Sequence, residues 1–191
     1  MKLIIESPLS LYKLQQLRLI YPLFSLDKRF YADAELSIHL SGKTLDSYED
    51  LLKRGRISEL FYTCDEIAEI EHLQKKFPHL SRFQIVNLYL ARREKAAVFA
   101  TGVLVQEAAR SLGIPVFGYN WIFDQLCTHR QILLAEAVNK WQDLKHLFYS
   151  FTAQTEPACV TNFYGERPKP EVRPRKLSGE AGNPGKTKTY N

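Results

Sequence analysis

Glu6 is the first side chain whose type and place could do chemistry. It follows the short apolar run Lys2-Leu3-Ile4-Ile5 and precedes Ser7-Pro8. Ser7 can cap a helix and Pro8 suits its first position, so Glu6 sits between a strand and a helix N-terminus. The helix dipole alone favours a carboxylate there. Any chemistry it does needs other groups gathered beside it. His39 can in principle ligate a metal, as any imidazole can. Cys64, Cys127 and Cys159 are scattered, with no C-x-x-C pair. That argues for a reducing, cytoplasmic setting and against structural zinc. The sequence carries no P-loop, no H-E-x-x-H and no G-x-S-x-G, so the common nucleotide, zinc-protease and serine-hydrolase chemistries have no signature here.

Charge is a second source of chemistry. The chain of 191 residues has a formal net charge of +5 and a pI near 9.0. Such a balance points to nucleic acid when it lies on the folded body. From Gly165 to Asn191, however, seven Lys or Arg face three Glu. Most of the excess therefore lies on a Pro- and Gly-rich tail, with Arg167, Lys169, Arg173, Arg175 and Lys176 as candidate contacts for an anionic partner. That tail has almost no large apolar residue, and disorder in isolation is expected. The apolar and charged fractions, 45% and 25%, are ordinary for a globular protein. No apolar run is long enough for a membrane span, and no signal peptide is expected.

The elements that must position these groups are clearest between Ala96 and Leu126. Ala97-Val98-Phe99-Ala100 is a short apolar run, read as a buried strand. Thr101-Gly102 breaks it, and a helix is predicted from Val103, with Leu104, Ala108 and Leu112 stacked at intervals of four. Gly113 fits the C′ position that ends it, and Pro115 prevents its resumption. Ile114 to Phe117 reads as another strand, ended by Gly118. Strand, helix and strand this close together predict a right-handed crossover and a parallel sheet.

The rest of the chain alternates in the same way. After the Ser7-capped helix, whose core face is Leu11, Leu14 and Leu17, residues 21–40 should supply a strand and a helix. Leu45 to Arg54 reads as a helix closed by Gly55, and Ile57 to Tyr62 as a strand. Thr63 with Glu66, and Ser81 with Gln84, have the spacing of capping boxes. They predict helices from Cys64 to Phe77 and from Ser81 to Glu94. The second is apolar on more than one face and should be largely buried. Gln131 to Tyr149 is amphipathic, with Leu134, Ala137, Val138, Trp141, Leu144 and Phe148 in helical spacing. It should either cover the sheet or meet a partner.

Three segments together resemble the C-terminal half of a PIN domain, a metal-dependent nuclease fold common in bacterial toxins. That half runs strand, Thr-Gly-Asp turn, helix ending Leu-Gly-Ile, strand, then G-x-x-W followed by two apolar residues and an Asp. Here these stand as Thr101-Gly102-Val103, Leu112-Gly113-Ile114 and Gly118-Tyr119-Asn120-Trp121-Ile122-Phe123-Asp124. The stretch Leu80-Ser81-Arg82-Phe83-Gln84 through Leu88-Tyr89-Leu90-Ala91 is similar to a second family motif. The resemblance covers residues 1–147.

The resemblance implies a three-layer α/β/α domain with a mainly parallel sheet over residues 1–150. A connecting segment, 151–164, and the tail, 165–191, follow. It also implies Mg²⁺- or Mn²⁺-dependent phosphodiester hydrolysis by three or four carboxylates converging at the carboxyl ends of the strands. The chain departs from the family there. Glu6 holds the first catalytic position. His39, or Ile38 with a one-residue shift, holds the second, Gln84 the third and Val103 the fourth. Asp33, Glu35 and Glu107 are the acids that could substitute. One acid in four cannot hold Mg²⁺ tightly, so no cofactor is expected. The function expected is a catalytically degenerate PIN-like protein that binds RNA or a protein. It would act in a toxin–antitoxin-like or RNA-processing system, as a homodimer or hetero-complex. The alternative is an active Mg²⁺/Mn²⁺-dependent endoribonuclease with displaced ligands. Tyr12, Tyr21, Phe30 and Tyr31 are the aromatic residues expected near an interface.

Overall fold

The computed structural model describes residues 1–147 and 157–165. The tail cations Arg167, Lys169, Arg173, Arg175 and Lys176, and Phe148, lie outside the described residues.

Among the described residues the core is a five-stranded sheet, every neighbouring pair of which is parallel. The strands are β1 (Lys2–Ile5), β2 (Arg29–Asp33), β3 (Ile57–Leu60), β4 (Ala97–Phe99) and β5 (Val116–Phe117), in the spatial order β3-β2-β1-β4-β5. Chain order runs outward from β1 to one edge, then returns to its other side at β4. The β1/β4 boundary is therefore the switch point, and the crevice outside the carboxyl ends of strands at such a point is where open α/β sheets place ligands.

Helices cover both faces, giving a three-layer α/β/α architecture. They are α1 (Pro8–Gln16), α2 (Ile20–Phe24), α3 (Gly42–Lys53), α4 (Ile67–Lys76), α5 (Arg82–Arg93), α6 (Val103–Ser111), α7 (Tyr119–Thr128), α8 (Leu134–Leu147) and α9 (Ala158–Gly165). Alternation along the strands divides the core. Leu3, Ile5 and Phe99 face the layer of α1, α2, α3, α7 and α8, whereas Ile4 and Val98 face α4, α5 and α6.

Local chemistry explains the boundaries. The Ser7 side chain accepts the Leu9 N–H at 3.1 Å, and Pro8 opens α1. Both capping boxes form, with Ser81 N–H donating to Gln84 Oε1 at 3.0 Å and Gln84 N–H to Ser81 Oγ at 3.2 Å. Gly113, at φ 70°, closes α6 in the left-handed region that favours glycine. Residues 34–39, after β2, form a 3₁₀ helix rather than an α-helix, started by Asp33, whose Oδ1 accepts the Glu35 N–H at 3.2 Å.

Three expectations need correction. Leu104 does not join the core face of α6; it is about half exposed, and Val105, Ala108 and Ala109 are buried instead. The face is set by the i, i+3, i+4 stripe that turns toward β5 and the core, a choice that period alone leaves free. Phe30 is unavailable to a partner, because it packs edge-to-face on Phe24 in the core, with centroids 4.6 Å apart. Two of the cysteines are not scattered. Cys127 on α7 and Cys159 on α9 come close enough that each thiol shifts the other's proton affinity, lowering Cys127 and raising Cys159.

The core extends into α9. Val160 is fully buried, and the Cys159 N–H donates to Asp124 Oδ1 at 2.9 Å. Asp124, the final residue of the Gly118–Asp124 motif, thus caps the first turn of α9. In α8, Ala137, Val138, Trp141 and Leu144 are buried in the core, where this helix packs on α7 and α9. No helix among the described residues is long and apolar enough to cross a membrane.

Candidate functional site at the carboxyl edge of the sheet

Glu6 is the residue immediately past β1, and its N–H donates to the Phe99 carbonyl at 3.2 Å, extending the ladder to β4. It is only 2% exposed. Burial pushes its carboxyl up to about 7, and the Gln84 side-chain amide pulls it partly back. At neutral pH this carboxyl is therefore about half protonated. Its Oε1 is buried without a hydrogen-bond partner among the described residues.

Asp33 comes to the same edge. The β1–β2 register pairs Ile4 with Tyr31. Carried two residues further, it brings Asp33 level with Glu6 along the backbone, although the charged side chains that act on Asp33 are Glu35, His39 and Glu59 rather than Glu6. Asp33 is 1% exposed, its Oδ2 has no partner among the described residues, and burial, followed by the neighbouring Glu35 charge, raises its pKa. Asn87 on α5 meets Glu6: its Nδ2 donates to the Phe83 carbonyl at 2.9 Å and to the Glu6 carbonyl at 3.4 Å, and its Oδ1 has no partner among the described residues. Sequence reasoning did not single out Asn87 and ranked Asp33 only as a substitute. The signal available was Asp33 at the end of an Arg-Phe-Tyr-Ala strand; its pairing with Glu6 is a long-range register.

The other positions do not converge as carboxylates. His39 is exposed, and its ring meets Phe83 edge-to-face at 5.4 Å. Ile38, the shifted alternative, is 77% exposed and apolar. Glu35 is exposed and accepts from the Tyr62 hydroxyl at 3.3 Å. Glu107 is exposed on α6, a turn past its start. Val103 opens α6 and is 59% exposed. Behind it, Gln106 Nε2 donates to the Ala100 carbonyl at 2.9 Å, closing the end of β4.

Gln84 is decisive for a cation. A backbone N–H can only donate, so the atom facing the Ser81 N–H must be Oε1. That leaves the amide N–H₂ for the Glu6 side. A hard cation asks for oxygen ligands, six or more. Here the third family position offers hydrogen-bond donors and the fourth a hydrocarbon surface. Among the described residues no three His, Cys, Asp or Glu side chains come together in a way that could hold a metal. Glu6 and Asp33 alone fall short, and the residues present do not fit the family's metal site.

Searches against protein-family models and against curated proteins give no match for this chain. The edge must therefore be read from its own geometry. Five large apolar side chains are exposed on the segments that follow four strand ends: Phe61 after β3, Ile38 after β2, Leu9 after β1, and Val103 and Leu104 after β4. Phe61, at 67% exposure, and Ile38 stand out furthest. Scattered exposed apolar residues need no explanation, but a concentration at the ligand-binding end of an α/β sheet does.

Proposed function

We propose that this is a PIN-like domain whose carboxyl edge binds a macromolecular partner rather than a catalytic metal. The observation that carries this is the composition of that edge. Where the resemblance calls for converging acids, the chain has one buried, half-protonated Glu6, a donating Gln84 and an apolar Val103. Around them it exposes Leu9, Ile38, Phe61 and Leu104. Exposed apolar side chains on the segments that follow the strands suit a protein partner, since burial of such surface is the main drive for association. The setting proposed is a toxin–antitoxin-like or RNA-processing assembly.

One observation favours a second reading, an endoribonuclease with displaced ligands. Glu6 and Asp33 lie on neighbouring strands, and each has a buried oxygen unpartnered among the described residues. Buried polar atoms normally have partners, and a cation bridging the two would supply one.

Calorimetric titration with Mn²⁺, beside a cleavage assay on single-stranded RNA, separates the readings. The unmodified chain should bind Mn²⁺ weakly and cleave little. The double variant Gln84→Asp/Val103→Asp should bind Mn²⁺ at least tenfold more tightly, because it restores two carboxylates to the edge. His39→Glu can be added as a third. Tight Mn²⁺ binding and EDTA-sensitive cleavage by the unmodified chain, lost in Asp33→Asn and Glu6→Ala, would establish the enzyme instead.

A further inference from the structure

The opposite, amino-terminal edge of the sheet carries an arrangement of charge that folding does not account for. The register pairs Lys2 of β1 with Arg29 of β2, and Phe30 of β2 with Ile57 of β3. One step back from the second pair, Arg29 stands opposite Arg56. Three cations, Lys2, Arg29 and Arg56, therefore form a row across the first rung of three adjacent strands. Like charges directly opposite on neighbouring strands are destabilising.

Among the described residues, only one of the three is answered by an acid. Lys2 Nζ lies 2.9 Å from Glu94 Oε2 and 5.8 Å from the centre of the Tyr31 ring. Arg29, Arg56 and the adjacent Lys28 make no ion pair or side-chain hydrogen bond among the described residues.

The row borders a hollow of about 290 Å³ lined by Lys28, Arg29, Tyr31, Arg56 and Ser58, among others. Arg29 and Tyr31 are two apart on β2, and Arg56 and Ser58 two apart on the neighbouring segment, so all four project from one face. A second hollow, of about 210 Å³, shares Arg56 and adds Tyr21, Phe24, Leu51 and Arg54. Tyr21 is 48% exposed there, while Arg54 is held by Asp50 at 2.9 Å. Among the described residues no acidic side chain lines either hollow.

We infer that this edge binds the phosphodiester backbone of a single-stranded nucleic acid. Guanidinium groups take phosphate oxygens two at a time, and an anion between Arg29 and Arg56 removes their repulsion. Tyr21, 48% exposed beside the second hollow, offers a ring for a base, which stacks on aromatic side chains without sequence preference. A chain of phosphates could pass from one hollow to the next around Arg56. This surface lies at the end of the sheet away from Glu6, and its occupation needs no metal.

The test is fluorescence anisotropy with labelled 12-residue single-stranded RNA and DNA and a duplex of the same length. It uses the full chain in EDTA, over a series of salt concentrations. Each phosphate neutralised on a single strand contributes about 0.7 to the slope of log affinity against log salt. The double variant Arg29→Gln/Arg56→Gln should bind at least tenfold more weakly at ~0.1 M salt, with a slope smaller by about 1.4. Its melting temperature should be unchanged or higher, because a repulsion has been removed. Five Lys/Arg→Gln changes at 167, 169, 173, 175 and 176 test the tail separately, and should leave the effect of the edge variant in place. Three results would overturn the inference: no binding by the unmodified chain, an edge variant that binds as the unmodified chain does, or a duplex preferred over both single strands. Because metal is absent throughout, none of these depends on how the Glu6 edge behaves.

Discussion

Glu6→Gln is expected to stabilise the protein at pH 8 by about 3 kcal/mol and to change little at pH 4. The Glu6 carboxyl is raised from 4.5 to about 7 in the folded chain. Each tenfold gain in proton affinity on folding corresponds to about 1.4 kcal/mol. The sign follows from linkage: the folded state holds this proton more tightly than the unfolded state does. The associated stability is complete below about pH 4.5 and is lost as pH rises through 7. Above that, folding has to bury an ionised carboxylate whose Oε1 has no partner among the described residues. Gln keeps the size and removes the charge. Other groups titrate in the opposite sense. Glu66, held by the Thr63 N–H and by Arg93, is lowered to about 2, and Glu94, held by Lys2, is also lowered. The informative quantity is thus the difference between the two proteins' unfolding free energies, measured by urea denaturation from pH 4 to 9. It should open between pH 4.5 and 7 and then level off. Parallel curves would show that Glu6 is solvated in the folded protein.

Trp141→Ala should cost roughly 3–5 kcal/mol, the usual range for deleting a buried tryptophan. Trp141 is fully buried, its ring meets Phe123 edge-to-face at 5.4 Å, and Lys145 lies over it at 5.9 Å. Phe123 belongs to α7, directly after β5, so the contact fixes α8 on α7. Loss of that much stability in a melting or denaturant experiment, with Leu133→Ala as an exposed control, would confirm that α8 is part of the domain core. A change below about 1 kcal/mol, the range of surface substitutions, would mean that α8 is held loosely and serves a partner instead.

The two edges of the sheet then divide the work proposed for this chain. The carboxyl edge, where Glu6 and Asp33 are buried and Leu9, Ile38, Phe61 and Leu104 exposed, is proposed to take a protein. The amino edge, with its row of cations and exposed tyrosine, is suited to a nucleic-acid strand. On the two proposals together, a chain holding both at once would bring a nucleic-acid strand to a protein.

The sequence by itself determined the elements, because the signals that start and stop them act within a few residues. Ser7-Pro8, Ser81 with Gln84, Thr63 with Glu66 and Gly113 each do locally what their spacing predicts. Short apolar runs alternating with capped helices were enough to imply a parallel α/β sheet. Tertiary structure alone decided which side chains meet. Asp33 is level with Glu6, and Arg29 with Arg56, only because β1, β2 and β3 pair in one register. A slip of a single residue would turn each of these side chains to the other face. Leu104 and Val105 are equally apolar in sequence, and only the docking of α6 on the sheet buries one and exposes the other. The same holds for the Cys127 and Cys159 thiols, which lie far apart in the chain and meet through the packing of α9 on α7. The pKa of Glu6 is the clearest case. An acid between a strand and a helix N-terminus reads from sequence as a solvated, ionised group, and it is the covering layer from α5 that removes the water and raises it to about 7.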